Sequence, residues 1–342
     1  MMSKDYTNDE KALIILSTLQ SYNARKKLFE SVKKPCELYS DFSKADEIIC
    51  KCEKHNIGII TILDEDYPQK LKNIYDPPFV LYYKGNKSLM TRKNILAVVG
   101  TRRVSSYGKN ILENFVPKFV EAGLVIVSGL ARGVDSIGHR LCLDNRGETI
   151  AVVANGLDIC YPPENVDLET KIVQRGLVIS EYPVGEKSLQ YHFPERNRII
   201  SALSDGVFIP EAGEKSGSLI TADYAIEQGR ELFVVPGNIF SSQSVGCNKK
   251  IKELQATIVL NPQDVIEAMG LYTNLSSKRN LQLNIEQQTI MQILEDGCKH
   301  FYDLLEKTGM SIGQLPAVLT ELEVLGLIRK IQGNFYEIVP SL

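Results

Sequence analysis

Short apolar runs recur through the middle of the chain, and this repetition restricts the fold more than any other feature. They cover residues 95–99, 124–127, 149–153, 177–180, 207–209, 232–235 and 257–260. Helical patterns lie between most of them. Short apolar strands that alternate with helices are typical of a parallel sheet covered on both faces. The sequence therefore predicts an α/β protein with a doubly wound, mostly parallel sheet.

Small residues follow several of these strands. Gly100, Ser128-Gly129, Gly156 and Pro236-Gly237 each come at or just after the end of an apolar run. Ligands of parallel sheets bind outside the carboxyl ends of the strands. Because the small residues all fall on that edge, we expect the ligand site there.

The segments on either side of the sheet are different. Residues 1 to about 60 show helical patterns, and residues 61–270 hold the strands. A polar, turn-rich stretch at 271–283 predicts a linker. Residues 284–342 contain three helical patterns and then two short strands around residues 332–334, a hairpin signal. Three helices followed by a β-hairpin predict a winged helix.

Composition restricts the class of protein. No apolar run approaches the ~20 residues that a membrane helix needs, and the charged N-terminus lacks the apolar core of a signal peptide. The seven cysteines are dispersed without a CxxC pair, which suits a reducing cytosol. We therefore expect a cytoplasmic protein with no metal and no membrane partner. The formal net charge of −3 means that any nucleic-acid site must be a local basic patch.

The stretch 193–237 carries the clearest ligand signal. Ser216-Gly217-Ser218 is a turn that opens into a helical pattern through Thr221. Such a turn directs backbone N–H groups and the positive helix dipole at one point, which favours phosphate. Arg196, Asn197 and Arg198 precede it, and guanidinium groups match phosphate oxygens in pairs. The chain therefore has the features of a phosphate site.

The aromatic residue beside these arginines supports nucleic acid as the source of the phosphate. Phe193 next to Arg196 and Arg198 is the combination expected where a base stacks and a phosphate is held. The alternative is structural, with Phe193 in the core and the arginines paired to Glu181 or Glu211.

Two more strand ends add candidate residues. Arg102 follows Gly100, where the missing side chain allows close approach of a ligand. Gly129 and Arg132 lie in the turn after the second strand. Asp135 and His139 are four residues apart on the following helix. A structural hydrogen bond is a better interpretation of that pair than a metal site, because no third ligand lies nearby.

An enzyme is the rival hypothesis. The turn lacks the lysine of a Walker A loop, and the sequence contains neither a GxSxG elbow nor HExxH. These absences argue against NTP hydrolysis. The alternative is an enzyme that binds or hydrolyses nucleotides or nucleotide derivatives in the same pocket, and a third possibility is a regulator that only senses a nucleotide there. Glu211 is the enzyme's strongest candidate for a general base.

The ordered motifs resemble the DNA-processing protein A family (DprA, also called Smf). They include G100-T-R102, S128-G-L-A-R-G-V-D135, F193-P-E-R-N-R198, S216-G-S-L-I-T-A222 and V235-P-G237, within a match from about residue 58 to 269. The resemblance implies an extended Rossmann-like domain that binds single-stranded DNA, dimerises and loads the recombinase RecA during natural transformation. We expect binding without catalysis and without a cofactor.

The resemblance also implies site residues. By motif, the DNA contacts carried over are Arg102, Phe193, Arg196, Asn197, Arg198, Ser216, Gly217 and Ser218. Many family members have a helix-hairpin-helix-like or SAM-like domain where residues 1–60 lie. This segment lacks a clear GxG hairpin, which argues against DNA contact there.

The charge of the C-terminal segment sets it apart. Residues 280–342 contain four Lys/Arg and eight Asp/Glu, a net charge of −4, and residues 311–325 contain no basic residue. A recognition helix needs cations to meet DNA phosphates. We therefore predict a protein-interaction or DNA-sensing module rather than a strong duplex binder.

Overall fold

The computed structural model describes residues 4–19, 22–271, 283–325, 327–331 and 333–338. The chain divides into two compact units, Met1–Leu271 and Tyr272–Leu342. No helix in the described ranges combines the length and apolar character needed to cross a bilayer.

A nine-stranded sheet forms the centre of the first unit. Its strands are β1 Gly58–Thr61, β2 Val80–Gly85, β3 Ile95–Val98, β4 Val125–Ser128, β5 Thr149–Val153, β6 Leu177–Ser180, β7 Gly206–Ile209, β8 Glu231–Val234 and β9 Thr257–Ile258. Their spatial order is β1-β2-β6-β5-β4-β3-β7-β8-β9. In this spatial order, the seven strands β6-β5-β4-β3-β7-β8-β9 are all parallel to their neighbours. Strand β2 is antiparallel to β6, and β1 is antiparallel to β2.

The order in which the chain adds strands to the sheet reverses next to β3. Strands β4, β5 and β6 extend the sheet to one side, and β7 then returns to the other side of β3. Ala97 of β3 accordingly lies in register with Val127 of β4 and with Val207 of β7. This is a topological switch point, where the loops leaving β3 and β7 diverge and open a crevice.

Helices cover both faces of the sheet, which confirms the doubly wound α/β prediction. The helices are α4 Gln69–Lys72, α5 Ser106–Glu121, α6 Val134–Asp144, α7 Val166–Arg175, α8 His192–Leu203, α9 Ser218–Glu227, α10 Val245–Lys252 and α11 Pro262–Ala268. Alternate residues of β3 point to opposite cores: Ala97 packs with helices α8 and α9, and Val98 packs with α5 and α6.

The N-terminal helices pack onto the antiparallel edge of this sheet. They are α1 Asn8–Ser17, α2 Tyr22–Glu30 and α3 Ser43–Lys54. Leu13 and Ile14 of α1 share a core with Ile59 and Tyr82 of β1 and β2. The Ser17 hydroxyl also lies 3.0 Å from that of Tyr82. The structure therefore differs from a separate domain ending at residue 60, because the helices and the sheet form one compact unit.

The second unit is a winged helix, as the sequence predicts. It contains α12 Ile285–Glu295, α13 Phe301–Thr308 and α14 Gln314–Val324, with a three-stranded sheet of β10 Lys299–His300, β12 Phe335–Ile338 and β11 Ile328–Ile331. Ile290, Leu304, Leu319 and Leu322 form its own small core. Most of the predicted linker, residues 272–282, lies outside the described residues, as does Gln332 of the predicted turn.

Candidate nucleic-acid interface

A cavity of about 900 Å³ opens at the switch point. The loops after β3, β4 and β7 and the first turns of α8 and α9 line it. Nine of the predicted site residues face it: Gly100, Arg102, Phe193, Arg196, Asn197, Ser216, Gly217, Ser218 and Thr221. Residues from three motifs, spread over more than a hundred positions of the chain, are thus brought to one edge of the sheet.

One side of this cavity is formed by the Phe193 ring and the Arg102 guanidinium that lies over it. The Arg102 guanidinium carbon lies 5.4 Å from the centroid of the Phe193 ring. The Tyr161 ring packs on Phe193 with centroids 5.6 Å apart. Arg102 is exposed, and within the described ranges neither it nor Lys215, another lining residue, belongs to an ion pair. Both charges are therefore available to an anion.

The turn that begins α9 forms the opposite side. Gly217 is the N-cap residue of α9 and is exposed, and a Cβ added there would meet no atom within 4 Å. The Ser216 and Ser218 hydroxyls lie 2.8 Å apart. Asn197 donates its side-chain amide to the Gly217 carbonyl at 3.3 Å. The backbone of this turn is thus open to a ligand and linked to α8, and the positive end of α9 favours a phosphate.

Arg196 lies beneath the cavity and is built into the sheet. The Arg196 side chain is 4% exposed. Its Nη1 donates to the Gly129 carbonyl at 2.7 Å and to the Val152 carbonyl. Burial lowers the pKa of Arg196 to about 10, while Asp135 acts in the opposite direction, so the guanidinium stays charged at neutral pH. A Cβ on Gly129 would lie 2.5 Å from this Nη1, so Gly129 makes room for the arginine.

A smaller cavity of about 320 Å³ adjoins the first beyond Arg102 and Phe193. It contains the remaining predicted residues of the β4 turn, Gly129 and Arg132. The Arg132 side chain is 65% exposed and pairs with Glu164 on the surface. An exposed ion pair of this kind has little net strength, so Arg132 can exchange its partner for a phosphate.

Arg198 is not at either cavity, which corrects the sequence prediction. The residue is 1% exposed, and its Nη2 donates to both Glu181 carboxylate oxygens, at 2.9 and 2.7 Å. Its Nε donates to Asp76 at 2.8 Å. Burial opposes the charge, but Glu181 and Asp76 outweigh it and raise the pKa of Arg198. The structural alternative, pairing with Glu181, therefore holds for Arg198.

The groups that an enzyme would need have other roles. The Glu211 carboxylate accepts the Ser105 backbone N–H at 2.8 Å and its hydroxyl at 2.5 Å, at the start of α5. His139 is fully buried 2.7 Å from the Thr149 hydroxyl, and burial lowers the pKa of His139 to about 3. The Asp135 carboxylate accepts the Gly129 backbone N–H at 3.1 Å. No cluster of metal ligands occurs within the described part of the chain.

The structure adds lining residues that sequence reasoning did not select. Tyr161, Lys215 and Gln243 all face the larger cavity. Lys215 precedes the predicted turn directly, so its position in the sequence is a usable signal. Gln243 lies in a separate loop after β8, and its Oε1 accepts the Thr101 hydroxyl at 3.1 Å. Only the fold brings that loop to the site.

Comparison with known proteins identifies the family. The model of the family described as DNA recombination-mediator protein A matches residues 58–270. That of the DprA winged helix domain matches residues 277–334. The chain belongs to the DNA processing protein A family. The DNA processing protein DprA of Bacillus subtilis is 39% identical over 233 residues, which cover 68% of this chain and 78% of that protein.

Solved structures of the family agree with the fold. The X-ray structure of DNA processing protein A from Streptococcus pneumoniae has a TM-score of 0.66 and 37% identity, and covers 77% of this chain and 98% of that chain. A structure of the Helicobacter pylori protein, reported for its single-stranded DNA binding mode, has a TM-score of 0.57 and 34% identity. It covers 62% of this chain and 95% of that chain.

Proposed function

We propose that this chain binds single-stranded DNA in the cavity at the switch point. One observation carries the proposal: Arg102, Phe193, Asn197 and the Gly217 turn face a single open space that Arg196 underlies. In this arrangement the cations and the α9 turn hold backbone phosphates, and Phe193 stacks a base. Stacking is tolerant of sequence because every base has a π-face. The expected ligand is therefore a single strand of any sequence.

Single strands suit the cavity better than duplex. Phe193 lies within the site, where an incoming base must be unpaired and unstacked to reach its face. The winged helix adds little to duplex affinity in this proposal, because its recognition helix α14 contains no basic residue. We keep the expectation that this unit contacts protein or senses DNA.

The biological role that we propose is loading of RecA onto incoming single strands during natural transformation. Membership of a family described as recombination mediators supports this role. The same membership supports a location in the cytoplasm, where recombination occurs.

A homodimer would bring two such sites together and raise the apparent affinity by effective concentration. The edge of the sheet beyond β8 is a candidate contact. Among the described strands, β8 alone pairs with β9, which leaves one side of β9 without a partner there, and Ile258 and Leu260 are 48% and 74% exposed. An unpaired edge with exposed apolar side chains favours pairing with another chain.

We propose that the site binds without catalysis. Glu211 does not face the cavity and is engaged at the start of α5, so it is poorly placed as a general base. The nucleotide-hydrolysing alternative makes a distinct prediction. It requires turnover of nucleotides that is lost in Glu211→Gln while binding persists.

Oligo-dT binding measured across a salt series tests the proposed site. Wild type is compared with Arg102→Ala and with the matched control Arg146→Ala. Arg146 is also exposed but precedes β5, on the opposite edge of the sheet. We expect the logarithm of the affinity to fall linearly with the logarithm of the salt concentration. The slope should be less steep than in wild type by about 0.7 in Arg102→Ala, because this variant loses one phosphate contact. Arg146→Ala should match wild type. Equal slopes in all three proteins would contradict the proposed site.

A further inference from the structure

The loop between β8 and α10 carries two neighbouring apolar side chains in solvent. Ile239 is 76% exposed and Phe240 is 90% exposed. A single exposed apolar residue is ordinary, but a large adjacent pair at a ligand-binding edge marks an interaction surface. This loop leaves the carboxyl end of β8, on the same edge as the cavity.

Hydrogen bonds hold the loop in one conformation. The Tyr107 hydroxyl donates to the Pro236 carbonyl at 2.6 Å. The Asn248 side chain donates to the Gly237 carbonyl at 3.0 Å and accepts its N–H at 3.1 Å. The Phe240 N–H donates to the Asn238 side chain at 2.9 Å. A contact surface fixed before binding loses little conformational entropy when a ligand arrives.

The loop is continuous with the cavity. Gln243 belongs to both, because it lines the cavity and accepts the Thr101 hydroxyl. The neighbouring Ser242 carbonyl lies close to Gly213, another lining residue, where an added Cβ would be 3.1 Å away. Phe240 is three residues from Gln243, which limits their Cα separation to about 11 Å. A strand that leaves the cavity past Gln243 therefore comes within reach of the Phe240 ring.

The charge of this segment favours an anionic partner. Residues 236–252 contain three lysines and no aspartate or glutamate. Lys250 pairs with Asp223, whereas Lys249 and Lys252 are exposed without an ion pair among the described residues. A second copy of this loop would oppose like charges. Single-stranded DNA instead combines negative charge with flat apolar bases.

We propose that Phe240 is a second stacking platform, on which single-stranded DNA places a base after leaving the cavity beside Gln243. The inference rests on the proposed function and extends it, because it sets the direction of the strand and lengthens the contacted segment. Oligonucleotides that fill only the cavity do not reach Phe240, whereas longer ones do.

Tryptophan fluorescence tests the contact directly, because the chain contains no tryptophan. In Phe240→Trp the single indole replaces the proposed platform, and stacking with a base should quench its emission. The matched control is Leu254→Trp. Leu254 is 92% exposed and precedes β9, which places it on the opposite edge of the sheet. We expect oligo-dT of about 12 nucleotides to quench the fluorescence of Phe240→Trp but not that of Leu254→Trp. Oligo-dT of about 4 nucleotides should quench the fluorescence of neither variant.

Affinity gives an independent measure. Phe240→Ala should weaken binding of the longer oligonucleotide about tenfold, which corresponds to the loss of one stacked base. It should leave the shorter one unchanged. The inference is wrong, and the proposed function stands, if the longer oligonucleotide binds Phe240→Ala and Phe240→Trp as tightly as wild type and does not quench the fluorescence of Phe240→Trp.

Two other outcomes also decide the matter. Quenching of Phe240→Trp by raised protein concentration without DNA would assign the surface to a second copy and overturn the inference. Absence of oligonucleotide binding by the wild-type chain would overturn the proposed function together with the inference.

Discussion

Two sets of charged residues lie close together in the first unit and are held differently. The rim set, Arg102 and Lys215, is exposed and has no ion-pair partner among the described residues. The buried set lies on the other side of α8, where Arg198 contacts Glu181 and Asp76 and Arg25 lies 3.2 Å from Glu181. The comparison shows that a charge is available for binding only where the fold has not already neutralised it.

The buried set should dominate stability. Arg198→Ala removes a cation from the buried Glu181 carboxylate, which Arg25 still contacts, and from the partly exposed Asp76. Loss of one partner of a buried ion pair costs about 3–5 kcal/mol. We expect a fall of that size in the free energy of unfolding, measured by urea denaturation. A loss below about 1 kcal/mol would mean that water reaches this network and that its ion pairs are as weak as those of exposed residues.

A buried neutral group gives the second effect. Burial lowers the pKa of His139 to about 3, below its usual value of 6.5. Between these values the unfolded chain binds the proton more tightly, so stability falls as the pH decreases below 6.5. From pH 7 to pH 5 this group should remove about 2 kcal/mol. His139→Gln should lack that part of the pH dependence in denaturation measured at both pH values.

The rim gives a smaller and different effect. Arg102→Ala should change the free energy of unfolding by less than about 0.5 kcal/mol, because the side chain is exposed and forms no ion pair with any described residue. Oligo-dT affinity at low salt should nevertheless fall by about 1–2 kcal/mol, as expected for one charge-assisted phosphate contact. Thermal unfolding and fluorescence anisotropy on the same sample separate the two. A large loss of stability would show that Arg102 is structural.

The winged helix should contribute least. Arg329 pairs with Glu337 across two strands at the surface, an interaction worth about 0.2–1 kcal/mol. Arg329→Ala should therefore cost less than about 1 kcal/mol in stability and leave oligo-dT affinity unchanged. Tenfold weaker binding of oligo-dT would place this unit in the nucleic-acid interface and contradict its assignment as an accessory module.

The sequence predicts the sheet and one edge of the site because both depend on local patterns. Apolar runs mark the strands, and glycine or serine at their ends marks the ligand edge, where Gly100 and Gly217 lie. The opposite roles of Arg196 and Arg198 are not local. Two residues apart on a helix, they point about 200° apart, and the choice between them depends on where distant Glu181 and Asp76 fold.

The same kind of local pattern predicts that the N-terminal segment is helical. Its boundary was not predictable, because α1 is completed by contacts with Tyr82, more than sixty residues later in the chain. Gln243 likewise reaches the cavity only through the parallel order of β7 and β8. Long-range contacts of this kind leave no pattern in a single sequence.

The hydrogen bonds from Arg196 to the carbonyls of Gly129 and Val152 fix a positive charge beneath the cavity. A lysine on a mobile stem would have to be immobilised each time a ligand arrived, whereas this guanidinium is already immobile. Under the proposed function, every bound DNA strand would therefore meet the same potential, whatever its bases. Differences in preference between related proteins should accordingly arise from the surrounding loops, which can vary without disturbing that common base.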